Sequence, residues 1–318
     1  MNGQTTTHFF RIAELHVKLT FKPSPRNSIR LLPSFRVFAS EPVPEGDVFF
    51  QLDIDDSLRP VPKEQRTLIR DFDTGNGIIT VNLLNDGGYQ YVIKDTNGYS
   101  CALLISDKEF RHCRCALNGN YDMRAYGLNS ALMLVFAFAG AREDVLLVHA
   151  SVVRHRGWGY PFIAKSGTGK STQVSSWLRF IPGCDLMNDD NPILRILDDG
   201  KPHIFGSPWS GKTPCYRNVM APLGAVTRID RADRNWVERL NPVEAFTSFL
   251  PSCSSMKWDI DIYRKICDTV TRVVETVPIH TLHCLPDKEA AMVCNRAIAR
   301  PEKVDVKKIE SYERNLLQ

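Results

Sequence analysis

The sequence predicts a two-domain α+β chain: an N-terminal antiparallel β domain over residues 1–122, a buried linking helix over 123–143, a C-terminal α/β domain over 144–300 and a tail over 301–318. Three observations carry this expectation. Through the first 120 or so residues apolar side chains alternate in short runs bounded by turn chemistry, which is the period of a half-buried strand. From Met123 to Gly140 the apolar steps change to three and four residues, the period of a helix. Beyond Asp144 the order becomes strand, loop, helix, strand, as in α/β architecture. A chain of 318 residues that is 43% hydrophobic and 24% charged can build two cores, and it is too apolar for disorder to be its main state.

In chain order, Val48, Phe50, Leu52 and Ile54 share one face of a strand, and so do Ile79, Val81 and Leu83. Asn85-Asp86-Gly87-Gly88 then supplies positive φ for a reversal. Asn97-Gly98 separates Tyr91–Lys94 from Ser100–Ile105, the pattern of a hairpin closed by a type I′ turn. No cluster of His, Cys and carboxylates and no Gly-rich loop lies in this half, so it is read as a structural or partner-recognition domain. In the helix that follows, Leu128, Leu132, Val135, Phe136 and Ala139 line one face and almost no face is polar, which predicts a buried link between the domains. Later, Asn241, Pro242 and Glu244 form a capping box ahead of Val243, Phe246 and Leu250. A further helix is predicted from about Trp258 to Glu275, a returning strand over Val277–Leu285, and a last helix capped by Asp287.

The chemistry concentrates in Tyr160–Leu178. An apolar strand ending at Phe162-Ile163-Ala164 runs into Lys165-Ser166-Gly167-Thr168-Gly169-Lys170-Ser171-Thr172 and then a helix with Val174, Trp177 and Leu178 on one face. This is a phosphate-binding loop in the expected context. Gly167 and Gly169 let successive N–H groups turn around phosphate oxygens, and the helix adds its positive N-terminal end. Lys170 brings a charge to the β- and γ-phosphates, and Ser171 supplies the hydroxyl that holds Mg²⁺. Ala164 stands where the motif has its first glycine. The competing reading is a Gly/Ser turn that happens to precede a helix, and the agreement of strand, loop and helix weighs against it.

Downstream, Cys184–Met187 reads as a short strand whose polar end is Asn188-Asp189-Asp190. In a parallel sheet the strand ends gather beside the phosphate loop, where one carboxylate can help hold a metal and the other can accept a proton from an attacking hydroxyl. A simple turn before the reversal at Asp199-Gly200 is the plainer alternative. His149, after the apolar Val145–Val148, is by itself more often a hydrogen-bonded core residue. The loop from Phe205 to Thr213, with Gly206, Trp209, Gly211 and Lys212, suits a lid or acceptor loop as well as an ordinary turn. Arg217, Arg228, Arg231, Arg234 and Arg239 form a basic stretch, mostly solvated, from which one or two residues can meet phosphate.

Several classes are set aside. The longest apolar run, Ala131–Ala141, is about half of the ~20 residues a membrane-spanning helix needs, and no signal sequence opens the chain, so a soluble, cytoplasmic protein is expected. A net charge of +4 without long runs of one sign gives no sign of nucleic-acid binding. Nine cysteines, only Cys113 and Cys115 close together, suggest neither a disulfide framework nor a paired zinc site.

At these residues the chain resembles the HPr kinase/phosphorylase family, more broadly the bacterial proteins that share its C-terminal catalytic domain. The resemblance lies in Val148-His149-Ala150-Ser151, in the Ser166–Thr172 loop, and in Gly183 followed by Leu186–Asp190, and it spans roughly Asp144 to Arg300. The loop is also similar to that of ATP-dependent phosphoenolpyruvate carboxykinase. The resemblance implies a C-terminal α/β P-loop kinase domain of HPr kinase-like type, with ATP and Mg²⁺ as cofactors and nucleotide phosphates held by Ser166, Gly167, Thr168, Gly169, Lys170, Ser171 and Thr172. It implies Asp189 as the base, Asp190 assisting the metal with Ser171, and His149 beside the catalytic aspartate. The implied reaction moves a phosphoryl group to a hydroxyl, a serine of a protein or peptide or a small molecule. The family's hexamers imply self-association. The β-rich N-terminal half and the lack of a Glu-x-Arg-Gly-x-Gly segment depart from the family. A carboxykinase-like enzyme and a nucleotide-binding scaffold without turnover are the alternatives.

Overall fold

A computed structural model describes residues 4–165, 167–211 and 213–304. The chain divides into two compact units, residues 1–139 and 140–318.

The first unit is a nine-stranded sheet. Its strands are β1 (Thr6–Ile12), β2 (Leu15–Phe21), β3 (Ala39–Ser40), β4 (Val48–Ile54), β5 (Arg66–Asp73), β6 (Ile78–Leu84), β7 (Tyr89–Lys94), β8 (Ser100–Ser106) and β9 (His112–Leu117). They lie in the order β3-β1-β2-β4-β9-β8-β7-β6-β5. The sheet is mixed, because β4 runs parallel to both β2 and β9. Alternation along a strand fixes which face is buried and says nothing about the direction of its neighbour, so the expected all-antiparallel domain is corrected at these two junctions. The turn after β7 also differs from expectation. Only Gly98 there takes positive φ, and Asp95 Oδ1 accepts from the N–H groups of Asn97 and Tyr99, so a five-residue Asx-type loop replaces the type I′ turn.

Helix α1 (Tyr121–Ala139) packs on β4, β7, β8 and β9 of this same sheet. A Cβ on Gly127 would come within 2.8 Å of the Cys101 carbonyl oxygen, so the close approach of helix to sheet depends on that glycine. The helix also buries one charge, Arg124, whose guanidinium donates to Asn27 Oδ1 at 3.0 and 2.7 Å and to the Asp56 carboxylate. A buried cation needs such partners.

The second unit contains β10 (Val145–Leu147), β11 (Ala150–His155), β12 (Trp158–Ile163), α2 (Lys170–Phe180), β13 (Cys184–Asp190), β14 (Ile193–Ile196), β15 (Pro202–Phe205), β16 (Met220–Pro222), β17 (Val226–Arg231), β18 (Trp236–Arg239), α3 (Pro242–Phe249), α4 (Ile260–Thr276), β19 (Ile279–Cys284) and α5 (Lys288–Ile298). Two sheets form, β10-β14-β15-β16 and β13-β11-β12-β17-β19-β18. Helices α2 and α5 cover one face of the larger sheet, where Trp177 sits fully buried among Tyr160, Phe162, Val174 and Cys294. The capping box at Asn241 and Glu244 and the cap at Asp287 form as the sequence predicts.

This arrangement overturns the predicted fold class. The described residues are mostly β, built on three sheets of nine, four and six strands, and do not form an α/β P-loop kinase domain of HPr kinase-like type beside a separate β domain. The reason lies in one turn. Arg156 (φ +52°) and Gly157 (φ +81°) both adopt the left-handed region, so β11 and β12 close as a hairpin where an α/β reading assumes crossovers. Only β12–β17 and β17–β19 are parallel pairs in that sheet. Val145–Leu147 pairs with β14, whereas β13, which carries Asp189, pairs with β11.

Candidate functional site

One register relation assembles the site. Ala150, the first residue of β11, pairs with Ile163 at the end of β12 and with Asp190 at the end of β13. Both neighbours run antiparallel to β11, so they run parallel to each other and their C-terminal tips flank the start of β11. The phosphate loop leaves from one tip, the two aspartates form the other, and His149 stands between them.

The loop has the features a phosphate nest requires. Gly167 (φ +78°) and Gly169 (φ +132°) take backbone conformations that other residues rarely adopt, while a Cβ at either would meet open space. The glycines are therefore needed for conformation and not for room. Gly169 caps α2 without any side-chain hydrogen bond, and the first helical turn carries no acidic residue. Its leading N–H groups are thus left for an anion. Thr172 is exposed in this first turn, and Ser166 lies outside the described residues.

His149 bridges two of the residues the sequence singled out. Its Nε2 lies 2.8 Å from Lys170 Nζ and its Nδ1 lies 3.1 Å from Asp190 Oδ1. A neutral imidazole with its proton on Nδ1 satisfies both contacts, accepting from the ammonium and donating to the carboxylate. Lys170 also donates to the Ala164 carbonyl at 3.1 Å. Burial lowers the Lys170 pKa, opposed by the charges of Asp190 and Asp189.

The two aspartates occupy different surroundings. Asp189 is buried, and its Oδ1 accepts from Ser151 Oγ at 2.5 Å and from Ser171 Oγ at 3.5 Å. Asp190 is half-exposed, and its Oδ2 accepts from Asn191 Nδ2 at 2.8 Å. The sequence reading placed His149 at Asp189 and the metal at Asp190. The geometry instead pairs His149 with Asp190 and the metal-type hydroxyl of Ser171 with Asp189. Two oxygens sharing one octahedral Mg²⁺ at 2.0–2.1 Å lie roughly 3 Å apart, so the Ser171–Asp189 pair fits such an ion with little movement. Among the described residues no group of three or more His, Cys, Asp or Glu side chains could hold a metal. A magnesium ion that is otherwise liganded by phosphates and water does not need one.

Asp190 also has φ +126°, a strained conformation for a residue with a side chain. The loop over residues 206–211 holds it there: Ser210 pairs with Asp190 as an isolated antiparallel bridge, and Gly211 N donates to the Asp189 carbonyl at 2.5 Å. A Cβ on Gly211 would come within 3.1 Å of the Asp190 Cβ. Beneath, the fully buried Asn188 donates from Nδ2 to Ser207 Oγ at 3.2 Å and to the Trp209 carbonyl at 3.0 Å. Trp209 is buried in this brace, and Lys212 lies outside the described residues.

Sequence reasoning did not assign functions to Ser151, Asn191 or Asn188. Ser151 was within sight, two residues after His149 in an alternating strand, but its partner is set by cross-strand register. Of the basic stretch, Arg231 reaches the phosphate loop, and Arg217 instead donates to Asp185 Oδ2 at 2.6 Å beside Arg154. No protein-family model matches the chain, and no curated protein matches it.

Proposed function

We propose that the second unit is an ATP-dependent phosphotransferase that moves the γ-phosphoryl group to a hydroxyl, the chemistry implied by its resemblance to HPr kinase. The observation that carries this reading is the convergence of Lys170, Ser171, Asp189, Asp190 and His149 at the N-terminus of α2. The reading rests on the site and not on the fold.

Backbone N–H groups of Gly169, Lys170 and Ser171 would cradle the phosphates. Phosphate oxygens are stronger partners for the Lys170 ammonium than a neutral imidazole nitrogen or a carbonyl. Ser171 and Asp189 would hold Mg²⁺, which when bound neutralises charge on the transferring group. Asp190, accessible and oriented by His149 and Asn191, accepts the acceptor's hydroxyl proton while the hydroxyl oxygen bonds to the γ-phosphorus and ADP leaves. His149 links the phosphate-binding lysine to that base. A serine of a protein or peptide is the favoured acceptor. Among the described residues no helix is long and apolar enough to cross a membrane, and all nine cysteines are free thiols. An ATP-consuming reaction and free thiols fit the cytoplasm.

Lys170→Ala tests the reading. The variant loses a charge that meets several phosphate oxygens, each such bond contributing about 1.5–3 kcal/mol, so calorimetric affinity for Mg·ATP falls at least about tenfold. Equal affinities in the two proteins refute it.

A further inference from the structure

We infer that Arg231 is a positioning residue of the phosphate loop, its guanidinium fork fixing the loop in the shape that receives phosphate. This rests on the nucleotide-binding reading above and extends it to a residue outside the loop.

The placement follows from strand register. Strands β12 and β17 are parallel, with Ile163 opposite Arg228. Arg231, three residues beyond Arg228, is the last residue of β17, at the end of the sheet where β12 runs out into the loop. There the guanidinium donates from Nη2 to the Gly167 carbonyl at 2.6 Å and from Nε to the Thr168 carbonyl at 3.3 Å. Among the described residues, the loop's own restraints are Thr168 N donating to the Lys165 carbonyl at 3.1 Å and Lys170 Nζ donating to the Ala164 carbonyl at 3.1 Å, and the bond from Gln173 N to the Gly169 carbonyl already belongs to the helix. A two-glycine segment loses much conformational freedom when ordered, so an external clamp has a large effect on its preorganisation.

The direction of the clamp matters as much as its strength. Across a planar trans peptide the C=O and the following N–H point opposite ways. Carbonyls of Gly167 and Thr168 that are drawn to Arg231 turn the N–H of Gly169 to the other side, with the uncapped first turn of α2. A lysine carries the same charge but offers its donors from a single nitrogen on a flexible stem, without the rigid planar fork that places Nε and Nη2 on the two carbonyls. The ordinary alternative is an exposed arginine whose backbone contacts are incidental; it predicts no effect on nucleotide binding.

The test uses the full chain and Mg·ATP in calorimetric titrations. Arg231→Ala is expected to weaken binding about 5- to 20-fold, a range allowing for the exposure of the side chain. Arg231→Lys recovers little of the loss. About 20 mM guanidinium, a planar donor fork, restores binding to the alanine variant, and ammonium at the same concentration does not. Arg239→Ala, which removes the same charge from β18 opposite His280, leaves affinity unchanged. Unchanged binding in Arg231→Ala, full rescue by lysine, or an equal loss in Arg239→Ala each overturns the inference while leaving the nucleotide reading intact. A wild-type protein that binds no ATP overturns both. If the alanine variant is also less stable, guanidinium rescue still separates a lost clamp from a damaged fold.

Discussion

The two adjacent aspartates should be separable by a single-atom change. In Asp190→Asn the amide keeps the side chain's shape but cannot take a proton. It also cannot accept from both His149 Nδ1 and Asn191 Nδ2, as the two carboxylate oxygens do at 3.1 and 2.8 Å, because one of its two polar atoms is a donor. Loss of a general base lowers turnover by about 10²- to 10⁴-fold, while affinity for Mg·ATP stays within about threefold of wild type because the half-exposed Asp190 is not placed at the metal. Asp189→Asn behaves differently. Its Oδ1 stands 3.5 Å from Ser171 Oγ in a buried position, and an amide there removes an anionic metal ligand. A contact of that kind contributes about 1.5–3 kcal/mol, so Mg·ATP affinity falls by at least about tenfold and the Mg²⁺ concentration for half-maximal binding rises. Calorimetry across a magnesium series, paired with ADP release from ATP with and without added hydroxyl acceptors, reads both effects. The assignment is refuted if Asp189→Asn binds like wild type but has lost turnover while Asp190→Asn carries the magnesium defect.

Two further outcomes follow from buried polar groups. Ser151 is 1% exposed and its hydroxyl donates to a buried carboxylate at 2.5 Å, so Ser151→Ala should cost about 1–3 kcal/mol of stability in urea titrations; an unchanged midpoint would show that the bond contributes nothing. His280 is buried beside Arg239, and burial above all, with that charge, holds its pKa down at about 4 against an ordinary 6.5. The unfolded chain therefore takes up a proton first as pH falls, so the His280 contribution is intact above 6.5 and is lost between 6.5 and about 4. At roughly 1.4 kcal/mol per pH unit the loss is at most about 3.5 kcal/mol. Denaturation at pH 7.5 and pH 5 should show the fall in wild type and a smaller one in His280→Asn, and equal falls in the two would remove His280 as the cause.

Features written locally were legible in the sequence. The glycine turn ahead of α2, the capping box at Asn241 and Glu244, and the faces of β4 need only neighbouring residues, because dihedral preference and periodicity act over a few positions. What depends on which strand lies beside which was not legible. Nothing in Val145–Ile163 announces that Arg156 will enter the left-handed region, yet that turn makes β11 and β12 a hairpin and removes the expected α/β order of that domain. The parts played by Asp189 and Asp190 were obscured for a related reason. Successive residues of a strand face opposite sides, and only the register Ser151–Asp189 and Ala150–Asp190 decides which carboxylate is buried against Ser171 and which meets His149.

The site survives the failure of the fold expectation because it needs less than the fold. A parallel α/β sheet brings strand ends to one edge by making every strand run the same way. Here a single antiparallel strand, β11, lies between two that do, and its first residue marks the level at which both end. The phosphate loop and the aspartates are thereby brought to one edge, and the residue just before β11 falls between them. His149 occupies that place, which is why it can touch Lys170 on one side and Asp190 on the other. Lengthening the Arg156–Gly157 turn would leave this geometry in place, whereas slipping β13 by one residue against β11 would exchange the faces of Asp189 and Asp190 and separate Ser171 from its carboxylate. The backbone bonds from Gly211 to Asp189 and across the Ser210–Asp190 bridge oppose that slip, and the strain at Asp190 persists because they do.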